Sequence, residues 1–241
     1  MTSEQKAATA FAVVELRRYA MQPGKRDTLI SLFEREFIET QERAGMVPVG
    51  HYRDLDDPDS YVWFRGFERF EARREALATF YGSRTWLDNR TEANSTLVDS
   101  DNVLMLRNAR PDSGFDLEGL TRPDRTDGSK TATRSFVAAS IFMLERPVDD
   151  SFIAAFETRL LPQLQACGKR IAYLGTEERP NDFPALPVRE EFAFLVVGVC
   201  ESTEALGTWS RAVESSLRDL GSPTLNCETL RLEPAARSLF R

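Results

Sequence analysis

Residues 50–67 read GHYRDLDDPDSYVWFRGF and predict a β-hairpin at the centre of an α+β fold. The run YVWFRGF has the aromatic and β-branched composition of a strand, HYR is a second extended run, and DLDDPDS between them is a turn sequence. Strands in such a hairpin bury at least one face. These strands nevertheless carry His51, which is the single histidine of the chain, together with Arg53 and Arg65. The hairpin therefore predicts a polar site as well as a fold.

Helical patterns flank the hairpin on both sides. Residues 25–45 repeat apolar side chains at helical spacing, and Gly45 is placed to end that helix. The run FERFEARREALATFY after the hairpin has a second apolar stripe, and another helical piece is predicted around Trp86. Strands over 11–20 and 102–108 complete the unit. The predicted order is β-α-β-β-α-β.

The same order restarts after residues 109–134, whose Pro, Gly, Asp and Ser content is typical of a linker. Strands are predicted in SFVAASIFMLE, RIAYLGTEE, EFAFLVVGVCE and TLNCETLRLEP, with helices between them. We predict a disordered tail over 1–10, a first module over 11–108 and a diverged second module over 135–241. The repeated order indicates an internal duplication.

A β-α-β-β-α-β module covers one face of its sheet with helices and leaves the other face bare. We predict ferredoxin-like modules whose bare faces pack as an α+β barrel with a pocket between the sheets, formed within one chain or between chains of a dimer. Because Val14 and Leu16 suit the helix-packed side, strand alternation turns the polar residues into the inter-sheet space. The candidate ligand-binding residues are Arg17, Tyr19, Arg53, Trp63, Arg65 and Phe67, and the candidate catalytic residues are His51 and Glu15.

Two interpretations of these residues stay open. His51 is either a general acid or base, or a structural residue near a turn. Arg17 and Arg65 either hold an anionic oxygen of a ligand or form an ion pair with Glu15.

Other side chains are predicted to have no part in the site. A surface position is expected for Arg73, a solvated helix face for Gln41, and the core for Tyr81 and Trp86. The second module offers an apolar wall, with Val196 near the position that Arg65 has in the first. The Pro-rich loop TEERPNDFPALPVREE (176–191) is long enough to cover one mouth of the pocket.

Composition excludes several classes of function. The formal net charge is −7 and no Lys/Arg-rich block is present, so we expect no nucleic-acid or membrane partner. The three cysteines have no C-x-x-C spacing, which predicts buried thiols without a metal site. The chain has no Gly-rich phosphate loop and no Ser/His/Asp set, and we expect no cofactor. The start of the chain has no secretory pattern, and we expect a cytoplasmic protein.

The runs VELRRYAMQPGKRD, FRGF, FYGSRTW and NSTLVDSDNVLML together resemble a NIPSNAP domain over roughly residues 13–108. This resemblance implies the dimeric α+β-barrel group of ferredoxin-like folds. That group includes cofactor-free monooxygenases, muconolactone-isomerase-like enzymes, haem-degrading enzymes and small-molecule binders, so kinship of fold implies no single activity.

Two functions follow as hypotheses, and the sequence does not decide whether the chain is an enzyme. The first is a cofactor-independent, isomerase-like or monooxygenase-like enzyme that acts on a small acidic or carbonyl-bearing aromatic compound. The alternative is a non-catalytic module that binds a ligand or a protein. Haem binding is a third and weaker hypothesis. A homodimer is compatible with each of them.

Overall fold

Two copies of one element order run along the chain. The computed structural model describes residues 11–125, 135–217, 220 and 224–241. Within them the strands are Val13–Met21 (β1), Met46–Asp54 (β2), Ser60–Phe67 (β3), Leu97–Asn108 (β4), Phe136–Leu144 (β5), Lys169–Thr176 (β6), Phe192–Cys200 (β7) and Thr224–Pro234 (β8). The α-helices are Arg26–Leu32 (α1), Ile38–Arg43 (α2), Phe70–Tyr81 (α3), Arg84–Ser95 (α4), Asp150–Arg159 (α5), Leu161–Gln165 (α6) and Thr203–Ser216 (α7).

The strands form one closed antiparallel barrel in the order β1-β3-β2-β8-β5-β7-β6-β4. Each module contributes the same order of strands, β4-β1-β3-β2 from the first and β8-β5-β7-β6 from the second. Two short seams join the modules, with Tyr52 opposite Pro234 between β2 and β8, and Leu106 opposite Thr176 between β4 and β6. The predicted fold of tandem ferredoxin-like modules is confirmed, and the two modules pair within one chain.

Apolar side chains from both modules fill the barrel interior. From the first module they include Val14, Leu16 and Phe64, which pack with strand residues of the second module. Phe115, from the segment after β4, packs edge to face against Phe240, with 4.9 Å between the ring centroids. Part of the predicted linker therefore packs inside the barrel. The tail over 1–10 and the rest of the linker lie outside the described residues.

The facing predicted for β1 is wrong. Alternation separates Val14 and Leu16 from Glu15 and Arg17 as expected, but the apolar pair faces the barrel interior and the polar pair faces the helices. The two bare sheet faces bury each other, so apolar side chains are required between them. The polar residues predicted to line a pocket between the sheets lie on the other side of the sheet.

The helices pack on the outside of the barrel and differ between the modules. In the first module α1 continues into α2 through a π-helical turn, Phe33–Phe37, and Gly45 ends the helix with a φ of 94°. In the second module Trp209 of α7 fills the space under the helices. Its ring approaches Gly168 and Gly198 so closely that a Cβ at either position would fall within 2.7 Å of it.

Among the described residues no helix combines the length and the apolar character needed to cross a membrane. The three cysteines, Cys167, Cys200 and Cys227, are free thiols, and Cys200 is buried. Burial raises the pKa of Cys200 to about 12, so this thiol stays protonated at neutral pH.

Candidate functional site

A cavity of about 380 Å³ lies between the sheet of the first module and its helices. Its walls are mostly aromatic, and they come from the first helix segment, β3, α3 and α4. The aromatic lining consists of Phe33, Phe37, Trp63, Phe80, Tyr81 and Trp86. Its polar lining is Arg17, Tyr19, Gln41, Asn94 and Ser100. The arrangement is that of a ligand pocket, with an apolar body and a few polar groups.

The π-helical turn shapes one wall of this cavity. Phe33 and Phe37, at its two ends, both line the cavity. The ring of Phe33 packs edge to face on Trp63 at 5.0 Å between centroids, and the ring of Phe37 lies 5.6 Å from that of Trp86. π-Helical turns are frequent at functional sites.

A buried ion cluster forms the floor of the cavity. Both carboxylate oxygens of Glu15 accept hydrogen bonds from guanidinium groups. The bonds run from Arg17 Nη1 at 2.8 Å, from Arg65 Nη2 at 2.5 Å and Nε at 3.1 Å, and from Arg73 Nε at 2.7 Å. Arg73 extends the cluster to Asp182, with which it forms an ion pair through Nη1. The structural interpretation of Arg17 and Arg65 as partners of Glu15 therefore holds, and it extends to an arginine from α3.

The cluster holds Glu15 in its ionised form. Burial alone would raise the pKa of this carboxyl group, but the three guanidinium groups outweigh burial and hold the pKa well below its usual range. Glu15 is therefore a poor proton acceptor at neutral pH. Three positive charges face two negative ones, on Glu15 and Asp182, which leaves an excess of one positive charge at the cavity floor.

Arg17, which belongs to the ion cluster, and its neighbour Tyr19 both line the cavity. Arg17 Nε donates to the Tyr19 hydroxyl oxygen at 2.9 Å, and no described residue accepts a hydrogen bond from Arg17 Nη2. Burial raises the pKa of Tyr19, so its hydroxyl stays protonated. Because this oxygen already accepts from Arg17, its own hydrogen is free to donate. The two side chains therefore present hydrogen-bond donors to an oxygen atom in the cavity.

A segment of the second module closes the cavity. We call residues 177–191, between β6 and β7, the strap. The strap runs along the edge of β4, where the Glu177 amide donates to the Met105 carbonyl at 2.8 Å and the Arg189 amide donates to the Val103 carbonyl at 2.9 Å. Phe183 of the strap lines the cavity and stacks on Tyr81, with 6.3 Å between ring centroids and 23° between planes.

Ion contacts fix the strap to α3. Asp182 pairs with Arg73, and the Asn181 amide oxygen accepts from Arg73 Nη1 at 3.0 Å. The guanidinium of Arg179 lies over the ring of Phe70 at 4.0 Å. The loop of residues 176–191 thus covers the mouth of a cavity, as the sequence predicted, but it is the cavity under the helices.

The structure brings five of the eight predicted site residues together. Arg17, Tyr19 and Trp63 line the cavity, and Glu15 and Arg65 lie directly beneath it. The remaining three residues lie apart from the lining.

Phe67 packs beside the ion cluster, with the Arg65 guanidinium 5.5 Å from its ring centroid. Arg53 is partly exposed on the barrel and donates to Asp27 at 2.8 Å. Neither of these two residues lines the cavity.

His51 is buried behind the cavity wall. Its ring lies 5.2 Å from that of Phe33 and 6.2 Å from that of Tyr61, centroid to centroid. Burial, with help from nearby arginines, lowers the pKa of His51 to about 3. The imidazole is therefore neutral at pH 7, and its 3.5 Å contact with Glu34 is not an ion pair at that pH. The structural interpretation of this histidine fits its position better than a catalytic one.

Four helix residues with no predicted part in the site belong to it. Arg73 and Gln41 are buried rather than exposed, and Tyr81 and Trp86 line the cavity rather than only filling the core. The pair Arg73–Arg74 interrupts an apolar stripe, which was the available signal for Arg73. The sequence alone did not show that Arg73 is buried, because its partners Glu15 and Asp182 lie far from it along the chain.

Two other depressions are weaker candidates. A recess of about 140 Å³ at one end of the barrel includes Arg18 and Arg189, but these guanidinium groups are paired with Glu228 and Glu191. A more open depression of about 450 Å³ lies along α7 and β8. Across the described ranges no three His, Cys, Asp or Glu side chains cluster as a metal site would require.

The fold and the cavity define an α+β-barrel protein whose two ferredoxin-like modules differ in the space under their helices. Residues 14–109, which span its first module, match the model of the NIPSNAP family. The predicted resemblance is confirmed. No curated protein sequence matches the chain.

Solved structures share the fold along nearly the whole chain. A protein from Fusobacterium nucleatum named "Putative monooxygenase" has a TM-score of 0.56 at 8% identity, with 93% of each chain covered. An "anthrone oxidase-like protein" has a TM-score of 0.54 at 11% identity, with 95% of this chain and 94% of the other covered. A "putative monooxygenase" from Lactobacillus acidophilus has a TM-score of 0.52 at 10% identity, with 92% and 93% covered. At these identities the likeness concerns the fold alone.

Proposed function

We propose that the first module binds a small planar aromatic compound that carries an anionic or carbonyl oxygen. One observation carries this proposal: an aromatic cavity ends in a floor with an excess of one positive charge. The volume of about 380 Å³ lies within the range of small-molecule pockets.

The geometry supports one orientation of the ligand. The ligand oxygen would accept hydrogen bonds from Arg17 Nη2 and the Tyr19 hydroxyl, in the way that guanidinium groups hold carboxylates. The rings would pack against Phe33 and Trp63 on one side and Phe183 of the strap on the other. Because the ion cluster is buried, its excess positive charge acts more strongly on a neighbouring ligand than it would in bulk solvent.

Binding without catalysis by a protein base is the function that the residues support best. No His, Cys, Asp, Glu or Lys is among the described residues that line the cavity. Glu15 lies beneath the lining, but its low pKa and its guanidinium partners make it a poor base. An isomerase-like reaction, which needs a proton acceptor, therefore has little support.

A second candidate is a cofactor-independent oxidation. The Arg17 and Tyr19 donors favour it, because they would stabilise the oxygen of an aromatic ketone that has lost its ring CH₂ proton to solvent water and is bound as the enolate, the form that reacts with O₂. Conversion of a ring CH₂ group and O₂ into a carbonyl group and water balances without a reductant. The names of the structural neighbours, monooxygenase and anthrone oxidase-like, agree with this class but concern those proteins.

A direct binding experiment tests the proposal. Trp63 and Trp86 line the cavity, so 2-naphthoate should quench tryptophan fluorescence, and calorimetry should give the same Kd. Arg17→Met should weaken 2-naphthoate binding by about 10-fold or more, since a charged hydrogen bond is lost. Arg18→Met is the matched control, because Arg18 is the next residue on β1 and pairs with Glu228 at the barrel end.

The outcomes separate the candidates. Absence of 2-naphthoate binding at millimolar concentration, or equal binding by the wild type and Arg17→Met, would refute the binding proposal. Uptake of O₂ with anthrone as substrate, lost in Arg17→Met and kept in Arg18→Met, would establish the oxidation. No uptake above the protein-free rate would leave binding as the function.

We also propose a cytoplasmic protein whose two modules arose by duplication, which the matching strand orders support. A homodimer is a further proposal that light scattering after size-exclusion chromatography tests. The proposal of a small-molecule partner, rather than a nucleic acid or a membrane, agrees with the net charge of −7.

A further inference from the structure

Two side chains in the cavity have buried polar atoms without a partner. Among the described residues, Trp63 Nε1 has no acceptor for its hydrogen and Gln41 Oε1 has no donor. Both side chains are buried, since Trp63 is only 3% exposed and Gln41 only 1%. Both residues line the cavity. Buried polar groups are nearly always paired, because burial without a partner costs free energy, so each exception needs a physical reason.

The fold directs both residues into the cavity. Gln41 follows Phe33 and Phe37 at intervals of four residues, and these side chains line one wall. Trp63 lies on β3 between Tyr61 and Arg65, on the face that the helices cover. Neighbouring polar groups of the same helix are satisfied: the Thr40 hydroxyl donates to the Glu36 carbonyl at 2.8 Å. Buried polar atoms without a partner also occur behind the wall, at His51 and Tyr61, but among the described residues with such atoms only Trp63 and Gln41 line the cavity.

The second module shows that the same architecture can satisfy a buried indole. There Trp209 fills the space under the helices, and its Nε1 donates to the Ser140 hydroxyl at 2.9 Å. In the first module Trp63 borders an open cavity and has no such partner. This contrast favours a ligand as the partner of Trp63, which has none among the described residues.

We propose that the ligand carries a hydroxyl group, separate from the oxygen held by Arg17 and Tyr19, that pairs with Trp63 and Gln41. This inference rests on the proposed function. The indole N–H donates only, and the free oxygen of the Gln41 amide accepts only. A hydroxyl group both accepts and donates, whereas a carbonyl or carboxylate oxygen would leave the amide oxygen unpaired. The ligand class is therefore a hydroxylated aromatic acid or ketone.

The amide of Gln41 makes the recognition selective. The Gln41 amide oxygen has no hydrogen-bond partner among the described residues, so it can accept from the ligand without breaking an existing hydrogen bond. A site with buried polar groups rejects an analogue that lacks the matching hydroxyl, because those groups stay unpaired in the complex. A compound of the same shape without the hydroxyl should still bind through Arg17, but more weakly.

The test compares 2-naphthoate with a panel of its mono-hydroxylated isomers. Calorimetry on the full-length protein should give at least one isomer a Kd about 10-fold or more below that of 2-naphthoate. Gln41→Met, which keeps the length of the side chain and removes its polar atoms, should reduce this preference to less than about 3-fold. Thr40→Val is the control, since Thr40 does not line the cavity, and it should keep the preference.

A second readout separates ligand recognition from a structural role. Without ligand, Gln41→Met should raise the Tm or leave it unchanged, because the variant removes a buried group without a partner. A clear fall in Tm would assign Gln41 to structure and overturn the inference.

Equal Kd values for 2-naphthoate and every hydroxylated isomer, or a preference that survives in Gln41→Met, would also overturn the inference and leave the proposed function intact. Failure of 2-naphthoate and all its isomers to bind would refute the proposed function itself.

Discussion

The substitution Glu15→Gln tests the ion cluster on which the cavity rests. Glu15 is fully buried, and its two oxygens accept hydrogen bonds from Arg17, Arg65 and Arg73 at 2.5–3.1 Å. Glutamine keeps the shape of the side chain but removes its charge. Three buried guanidinium groups would then have only Asp182 as a negative partner.

The expected loss of stability is large. Removing one partner from a buried ion pair costs about 3–5 kcal/mol, because a buried charge is left uncompensated. The total free energy of unfolding of a protein is only about 5–15 kcal/mol. At about 2–4 °C per kcal/mol for a chain of this size, the Tm should fall by roughly 10 °C. The exposed ion pair between Arg84 and Asp88 gives the control, since Asp88→Asn should leave the Tm unchanged within error.

Urea denaturation of the wild type and the variant measures this loss of unfolding free energy. The pH dependence of the unfolding free energy gives an independent check. The folded-state pKa of Glu15 lies far below its unfolded value, which is near 4.5. The contribution of ionised Glu15 to the free energy of unfolding is therefore complete above pH 4.5, and it declines as the pH falls below that value towards the folded pKa. In Glu15→Gln this part of the acid sensitivity should disappear.

A compensating substitution keeps the prediction testable if Glu15→Gln alone does not fold. Adding Arg17→Met to Glu15→Gln removes one of the three positive charges, so the double variant should recover part of the lost stability. An unfolding free energy of Glu15→Gln within about 1 kcal/mol of the wild type would refute the reasoning, since a typical surface pair contributes no more than that. A double variant less stable than Glu15→Gln alone would also contradict it.

Three further predictions address the surroundings of the cavity. The pKa of His51 is near 3 in the folded protein and 6.5 in the unfolded chain, so the wild type should lose stability as the pH falls from 6.5 towards 3. In urea titrations His51→Phe should show a weaker dependence of the unfolding free energy on pH, and its affinity for 2-naphthoate should equal that of the wild type. Phe183→Ala should raise the dissociation rate of 2-naphthoate by about 10-fold in stopped-flow fluorescence, because the strap loses its contact with the ligand and with Tyr81. The control Leu225→Ala, at an exposed position of β8, should leave this rate unchanged. Trp209→Ala should lower the free energy of unfolding by about 3–5 kcal/mol, and a loss below about 1 kcal/mol would show that Trp209 does not fill the second module.

The order of elements could be predicted because local patterns determine it. Turn residues, helical spacing and the repeat of β-α-β-β-α-β after residue 108 each depend on neighbours in sequence. Closure of the barrel followed from the need to bury two bare sheet faces. The π-helical turn at Phe33–Phe37 could not be predicted, since its composition does not differ from that of an ordinary helix.

The direction of the polar face could not be predicted from alternation. The pattern of β1 separates Glu15 and Arg17 from Val14 and Leu16, but both sets are buried, so polarity alone does not show which set meets the helices. The deciding factor is long-range: Arg73 of α3 completes the coordination of Glu15 from the helix side. A partner 58 residues away leaves no local signal.

The strap makes the site a joint product of the two modules. Arg17, Tyr19 and Trp63 belong to the first module, whereas Phe183, which covers the cavity, and Asp182, which offsets part of its positive charge, belong to the second. In the described part of the second module, Trp209 fills the space under the helices. Divergence after the proposed duplication would thus have assigned binding to one module and closure to the other. The first module alone would lack both the lid and the negative charge that Arg73 needs, and for this reason the function should depend on the whole barrel.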